Sequence, residues 1–208
     1  MRAEFIAGLR AHQRAFEIEL TDDQTERLAD FYEFVQEHNP VLHLVGPCSP
    51  EEFAVRHVLE SLTLLALVPG GSRFADVGPG GGFPSVPCLI VRDNLRAVLV
   101  ESKEKKSRFL QEAAARCNIA DRAEIVTRQY AEVKMPDVGF ITCRALDKFL
   151  PQLPKLLKWS AGATRLFFGG PSMRDELHKV KVPYREHLIP LSEQRFLFVI
   201  PSGKSEKK

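Results

Sequence analysis

A chain of 208 residues, 44% hydrophobic and 27% charged, is an ordinary globular composition with enough apolar surface for one full core. Its 29 basic and 27 acidic residues leave a net charge of +2, so any surface for a polyanion must come from local clustering. Apolar runs fall short of the ~20 residues of a membrane span, and Cys48, Cys88, Cys117 and Cys143 lack zinc-site or disulfide-framework spacing; a cytoplasmic chain with reduced thiols and no membrane contact is expected.

The first seventy residues read as helices. Residues 2–17 carry Phe5, Ile6, Leu9 and Phe16 on one side. Thr21 before Asp22 and Asp23 signals a helix start, and Leu28, Phe31, Tyr32 and Val35 follow at three- and four-residue spacing. Asn39-Pro40 predicts its end. After the link VLHLVGPCSP, Ser49 and Pro50 supply the cap and first turn of a third helix reaching residue 67. Phe53, Leu59, Leu62 and Leu65/Ala66 form its expected buried stripe.

Beyond residue 71 short apolar runs alternate with helical stretches. Strands are predicted at 73–77, 96–100, 123–127, 138–143 and 164–168, with an antiparallel pair at 185–189 and 195–200. Helices are predicted at 84–91, 103–117 and 148–157. This alternation predicts an α/β fold: a Rossmann-like parallel sheet with helices on both faces. The predicted organisation is an N-terminal helical cap over 1–70, a ligand-binding domain over 71–202 and a flexible tail at 203–208.

Ligands of such sheets sit beyond the carboxyl ends of the strands. The first strand runs into DVGPGGGFP at 76–84, where Gly78, Gly80 and Gly82 let backbone approach a ligand closely. Pro84 suits the first turn of the next helix. Glu101 ends the second strand, where an acid accepts hydrogen bonds from ribose hydroxyls. The same geometry serves a dinucleotide, but Phe83 and Pro84 replace the third glycine of that pattern. Asp76 at the loop's start favours a ligand with an amino group, so S-adenosylmethionine is the better fit and a class I methyltransferase sheet the better reading.

Four motifs stand in order: RHVLESL at 56–62, DVGPGGGFP at 76–84, ES-x-x-KK-x-x-FL at 101–110 and CRAL at 143–146. Together they resemble RH-x-x-DS, DVG-x-G-x-GFPG, DS-x-x-KK-x-x-FL and SRA of the bacterial methyltransferase G family of small-subunit ribosomal RNA, also called the glucose-inhibited division protein B family. The resemblance implies methylation of guanine N7 in 16S ribosomal RNA, free or in the small ribosomal subunit, by a monomer using S-adenosylmethionine. By position it implies cofactor contacts from Gly78, Phe83, Glu101, Gln129, Tyr130 and Arg144. Gln129-Tyr130 departs from the family's small residue and Glu, which Ala131-Glu132 would supply instead. HNPVLHLVG before the third helix, Ser85 for the last glycine of GFPG, and Gly169-Gly170 for a late Lys-Gly also depart, on the expected substrate side.

Guanine N7 has a lone pair and no proton, so its methylation needs positioning rather than a general base. Arg56, His57 and Arg144 are the candidate catalytic residues, contacting RNA or orienting the base. Alternatively, Arg56 and Glu60 form a solvated pair one turn apart, and Arg144 pairs with Asp147. Lys103, Lys105, Lys106 and Arg108 form a basic cluster suited to phosphates, or a solvated helix face. A dinucleotide-dependent oxidoreductase, a cofactor-binding but inactive assembly factor and a small-molecule methyltransferase remain as other readings.

Overall fold

The computed structural model describes residues 1–144 and 149–203. Asp147, the predicted partner of Arg144, the predicted helix start at Lys148 and the tail from residue 204 lie outside the described residues.

Helix α1 (Arg2–His12) continues as a 3-10 turn (Gln13–Phe16) that Glu17 ends in left-handed backbone at φ 55°. Thr21 and Gln24 cap α2 (Asp22–Leu42) reciprocally: the Thr21 hydroxyl accepts the Gln24 N–H at 3.2 Å, and the Gln24 side chain accepts the Thr21 N–H at 2.9 Å. Contrary to the sequence expectation, α2 passes through Asn39-Pro40 and ends at Leu42. Pro40 has no N–H to donate to the preceding turn, and the Asn39 side chain orders the exit. Its Oδ1 accepts the N–H groups of Leu44 and Val45 at 2.8 and 2.9 Å, and its Nδ2 donates to the Val45 carbonyl at 3.1 Å. This exit lays Leu44 against the glycine loop, where a Cβ on Gly81 would stand 3.2 Å from Leu44 Cβ.

The third helix is capped by Ser49 as the sequence predicts, with Glu52 closing the bond reciprocally, but it is not regular. Segment α3 (Pro50–Phe53) widens into a π turn (Ala54–Leu59), tightens to α4 (Glu60–Leu62) and ends as a 3-10 turn (Thr63–Ala66). The wide turn rotates the residues after it. Leu64 and Val68 are buried in place of the predicted Leu65/Ala66, and Glu60 turns inward with them.

The seven strands are β1 (Arg73–Val77), β2 (Arg96–Val100), β3 (Ala123–Val126), β4 (Phe140–Cys143), β5 (Thr164–Gly169), β6 (Arg185–Leu188) and β7 (Phe196–Ile200). They form one sheet in the order β3-β2-β1-β4-β5-β7-β6. Strands β1 to β5 are parallel, and the predicted terminal hairpin adds to β5 antiparallel through β7. Connecting helices are α5 (Ser85–Val91), α6 (Glu104–Arg116), α7 (Phe149–Trp159) and α8 (Pro171–Lys179). The last is absent from the sequence prediction. Only Met173 and Leu177 of its residues are buried, too few to announce a helical stripe.

Strand alternation divides the core between the two faces of the sheet. Phe74, Leu99 and Leu166 join Phe5, Leu28, Phe31 and Phe53 of the N-terminal helices and Phe109 of α6 in one cluster. Ala75, Ile141, Phe167 and Phe198 pack with Leu153, Leu156 and Leu177 on the other face. The N-terminal helices therefore share a continuous core with the sheet. Gly82 marks a tight point between loop and helices: at φ +91°, a Cβ there would stand 2.8 Å from Val86 Cγ2 and 3.2 Å from Phe31 Cζ. Gly82→Ala is expected to combine left-handed strain of about 1–2 kcal/mol with overpacking of about 1–3 kcal/mol. Urea denaturation should show a lower midpoint at unchanged slope.

Candidate active site

The carboxyl ends of the parallel strands form one edge of the sheet, and the connections reverse direction between β1 and β4. Open α/β sheets bind ligands at that switch. The chain leaves β1 through Gly78 at φ 69° and Gly80 at φ 55°, left-handed backbone that favours glycine. Gly78 donates its N–H to the Val100 carbonyl at 2.9 Å, and Gly82 and Phe83 donate theirs to Pro79 at 2.9 and 3.2 Å. Pro84 takes the cap position of α5 after a cis peptide bond, one residue before the helix proper.

Glu101, 5% exposed, follows β2. One carboxylate oxygen accepts the Gly80 N–H at 3.1 Å, and the other accepts the Lys103 N–H at 2.9 Å. A carboxylate has about four acceptor positions, so two remain for a ligand. A cavity of about 220 Å³ opens beside it, lined by Gly78, Gly80, Glu101, Gln129 and Tyr130 among others. Lys103, Lys106 and Arg128 also line it. Tyr130 is buried, its ring edge-on to Trp159 at 5.6 Å. Ala131 and Glu132 are exposed and do not line this cavity. In the basic cluster, Arg108 pairs with Glu104 on its own helix at 2.5 Å, while Lys106 reaches the His43 carbonyl at 3.5 Å.

The other predicted loop residues lie elsewhere. Gly82 and Phe83 turn into the helical layer, where the Phe83 ring sits 5.5 Å from Phe31, 5.7 Å from Phe53 and 5.3 Å from His57. Asp76 is wholly buried and does not line the cavity. The Ser85 hydroxyl donates to its Oδ2 at 2.5 Å, so the departure at this position provides a partner for the acid. Burial pushes the Asp76 carboxyl up to about 8, against the Ser85 hydrogen bonds. Its Oδ1 has no hydrogen-bond partner among the described residues.

On the other side of the switch, Arg144 follows β4 and reaches back to the third helix. Its guanidinium donates to Glu60 Oε2 and Ser61 Oγ at 3.1 Å each, to the His57 carbonyl at 3.3 Å and to the Arg56 carbonyl. The predicted Arg56–Glu60 surface pair does not form. Glu60 is 2% exposed, and its second oxygen accepts from Arg195 Nε at 2.7 Å, while Arg56 faces solvent. The π turn is the cause, because it carries residue 60 off the face that a regular helix would give it. Burial raises the Glu60 carboxyl and the two arginines oppose that rise. Burial lowers the Arg144 guanidinium and Glu60 opposes it. His57 is half-buried between the rings of Phe53 and Phe83, at 5.0 and 5.3 Å. Burial first, then the positive charges of Arg144 and Arg56, lower its pKa to about 3.

Gly78, Gly80, Glu101, Gln129 and Tyr130 thus meet at one cavity, while Arg56, His57 and Arg144 gather at a second centre with Glu60. Sequence reasoning missed Arg195. Its only signal is an arginine heading the last apolar strand.

The strand order, the glycine turn and the acid after β2 define an α/β methyltransferase. Residues 24–189 match the family described as rRNA small subunit methyltransferase G. The ribosomal RNA small subunit methyltransferase G of Pelotomaculum thermopropionicum is 35% identical over 81% of this chain and 73% of its own. Among solved structures, an O-methyltransferase from Bacillus cereus in complex with S-adenosylhomocysteine has a TM-score of 0.58 at 15% identity, covering 93% of this chain and 97% of its own. An RNA methyltransferase from Salinibacter ruber, also with S-adenosylhomocysteine, has a TM-score of 0.55 at 19% identity, covering 78% and 98%. These structures share the fold.

The chain belongs to the rRNA small subunit methyltransferase G family and is an S-adenosylmethionine-dependent rRNA methyltransferase. The dinucleotide and small-molecule readings give way to that membership. The site fits the cofactor: glycine backbone without Cβ at 78 and 80, unused acceptor positions on Glu101 for a ribose diol, and the Val77 and Val100 walls for apolar contact.

Gly78→Val is expected to abolish S-adenosylmethionine binding in calorimetry while a cooperative urea transition persists at a lower midpoint, because a β-branched residue is strained at φ 69°. Retained affinity would remove Gly78 from the cofactor wall. His57 also makes stability depend on pH. Its folded pKa of about 3 lies below the 6.5 of the unfolded chain, so between these values the unfolded state binds the extra proton. The stability contributed by neutral His57 is full above about 6.5 and is lost as pH falls toward 3. His57→Phe should flatten the loss of urea midpoint across that window; an unchanged slope would count against a suppressed His57 pKa.

Proposed function

We propose that this chain, acting as a monomer in the cytoplasm, methylates N7 of a guanine in 16S ribosomal RNA carried by the small ribosomal subunit. The observation that carries this reading is the chemistry at the carboxyl ends of β4 and β5. That region holds Arg144, with Glu60 committed to two arginines, while the ring of nearby His57 packs against Phe53 and Phe83. Such a wall suits an acceptor that surrenders no proton. Guanine N7 is such an acceptor, whereas exocyclic amines and ring N–H groups release one.

Bound in the cavity, S-adenosylmethionine supplies an electrophilic methyl group. The protein's part is alignment: Glu101 and the Gly78–Gly80 backbone fix one reactant, and the β4 end confronts the other, so catalysis rests on orientation. N7 lies in the major groove, too narrow in A-form RNA for side chains, so the substrate guanine is unpaired or splayed.

The test is incubation with labelled donor and unmodified small subunits, followed by mapping of the modified base. The expected product is 7-methylguanine at one 16S position, revealed by strand scission after borohydride and aniline. A methyl on another guanine atom overturns the N7 assignment. No transfer favours a cofactor-binding assembly factor, the reading motivated by the departures at residues 39–46, at Ser85 and at Gly169.

A further inference from the structure

We propose that Arg195 binds a backbone phosphate of the acceptor RNA and that buried Glu60 is the positioning residue that orients it. The inference rests on the reading of RNA as the acceptor.

Arg195 immediately precedes β7, whose first residue, Phe196, pairs with Gly169 at the carboxyl end of β5. It therefore stands on the same sheet edge as Arg144, two strands beyond β4. Its main chain is fixed on both sides of the residue: its N–H donates to Ser192 Oγ at 2.9 Å, and its carbonyl accepts the Ile189 N–H at 2.9 Å. Its side chain is fixed by one edge only. Nε donates to Glu60 at 2.7 Å, and among the described residues neither terminal nitrogen has a protein partner. The side chain is 40% exposed, against 15% for Arg144 on the same carboxylate. One arginine is thus walled in, and the other is anchored by Nε with its outer Nη1–Nη2 fork open. Such a fork matches phosphate oxygens bidentately, and the anchoring lowers the entropy cost of holding them.

Charge supports the same conclusion. Arg144 and Arg195 share the Glu60 carboxylate, the exposed Arg56 adds a further positive charge nearby, and His57 beside them is neutral. The positive charges of Arg195 and Arg56 act against Arg144. Among the described residues Glu60 is the one carboxylate bonded to Arg144 or Arg195, so this pair of positive charges shares a single anion there, and an incoming phosphate relieves their repulsion. The cofactor's carboxylate is a poor candidate for that anion, since none of Glu60, Arg144 and Arg195 lines the cavity over β1 to β3.

The experiment compares the full-length wild type with R195Q, R195K, E60Q and R195Q/E60Q. Methyl transfer to unmodified small subunits gives KM and kcat, filter retention of the labelled subunit gives binding against salt, and calorimetry gives donor affinity. R195Q is expected to raise KM for the subunit about ten- to hundredfold, the worth of a charge-assisted hydrogen bond, with kcat and donor affinity near wild type. Its log–log salt slope should fall by about one. R195K should recover the salt slope but not the KM, because a point charge lacks the fork. E60Q should raise KM by a similar factor, and the double variant should lose little more, since the two residues act as one unit. Wild-type KM and salt slope in R195Q, or loss of donor affinity in that variant, overturns the proposal. Additive losses in the double variant overturn the role given to Glu60. Wild type that binds subunits but transfers no methyl contradicts the methylation reading alone, and the salt slopes still decide the phosphate contact. Wild type that does not bind subunits contradicts both.

Discussion

The Glu101 carboxylate joins two strand ends. By accepting the Gly80 and Lys103 amides it ties the turn after β1 to the start of the segment after β2. The Gly78 N–H is already held by the Val100 carbonyl, and the tie to Glu101 fixes the second left-handed glycine as well. With it, the backbone at Gly78 and Gly80 becomes one wall of a cavity whose other walls come from Val100, Gln129 and Tyr130. Glu101 thus shapes the loop and keeps acceptor positions for a ribose. An acid with its own hydrogen bonds already directed is better prepared than one that must reorient on binding.

The carboxyl edge of the sheet divides at the β1/β4 switch. Over β1, β2 and β3 lies the cavity, and over β4, β5 and β7 lies a set of arginines arranged on Glu60. The N-terminal helices make this second half possible. They share the core of the sheet through Phe5, Phe31 and Phe53, so their position is fixed by apolar packing rather than by surface contacts. From that fixed base the π turn (Ala54–Leu59) rotates Glu60 inward, where Arg144 and Arg195 compensate its burial. A buried carboxylate with one partner removed is costly, which couples the helical layer to both strand ends.

The sequence made the sheet legible because its strands are short, apolar and bounded by turn residues. The predicted limits of β1 and β2 agree with the structure to the residue. The glycine loop and Glu101 were legible because their roles depend on backbone conformation and chain spacing. What escaped depended on contacts remote in sequence. Arg195 acquires its role from a residue 135 positions earlier. Glu60 reads as a solvated helix residue until the π turn is known, and a π turn has no periodicity of its own to announce it. Pro40 reads as a helix stop because the compensating bonds of Asn39 reach forward into an irregular link. Phe83 sits in the right motif, but the turn at Gly82 directs its ring into the helical layer.

The most direct test of this division is a crystal structure of the chain with S-adenosylhomocysteine. The predicted result places the ribose hydroxyls on Glu101 and the nucleoside between the Gly78–Gly80 backbone and Tyr130, with Arg195 free of the cofactor. A nucleoside bound instead over β4 and β5, on the arginines around Glu60, would contradict it.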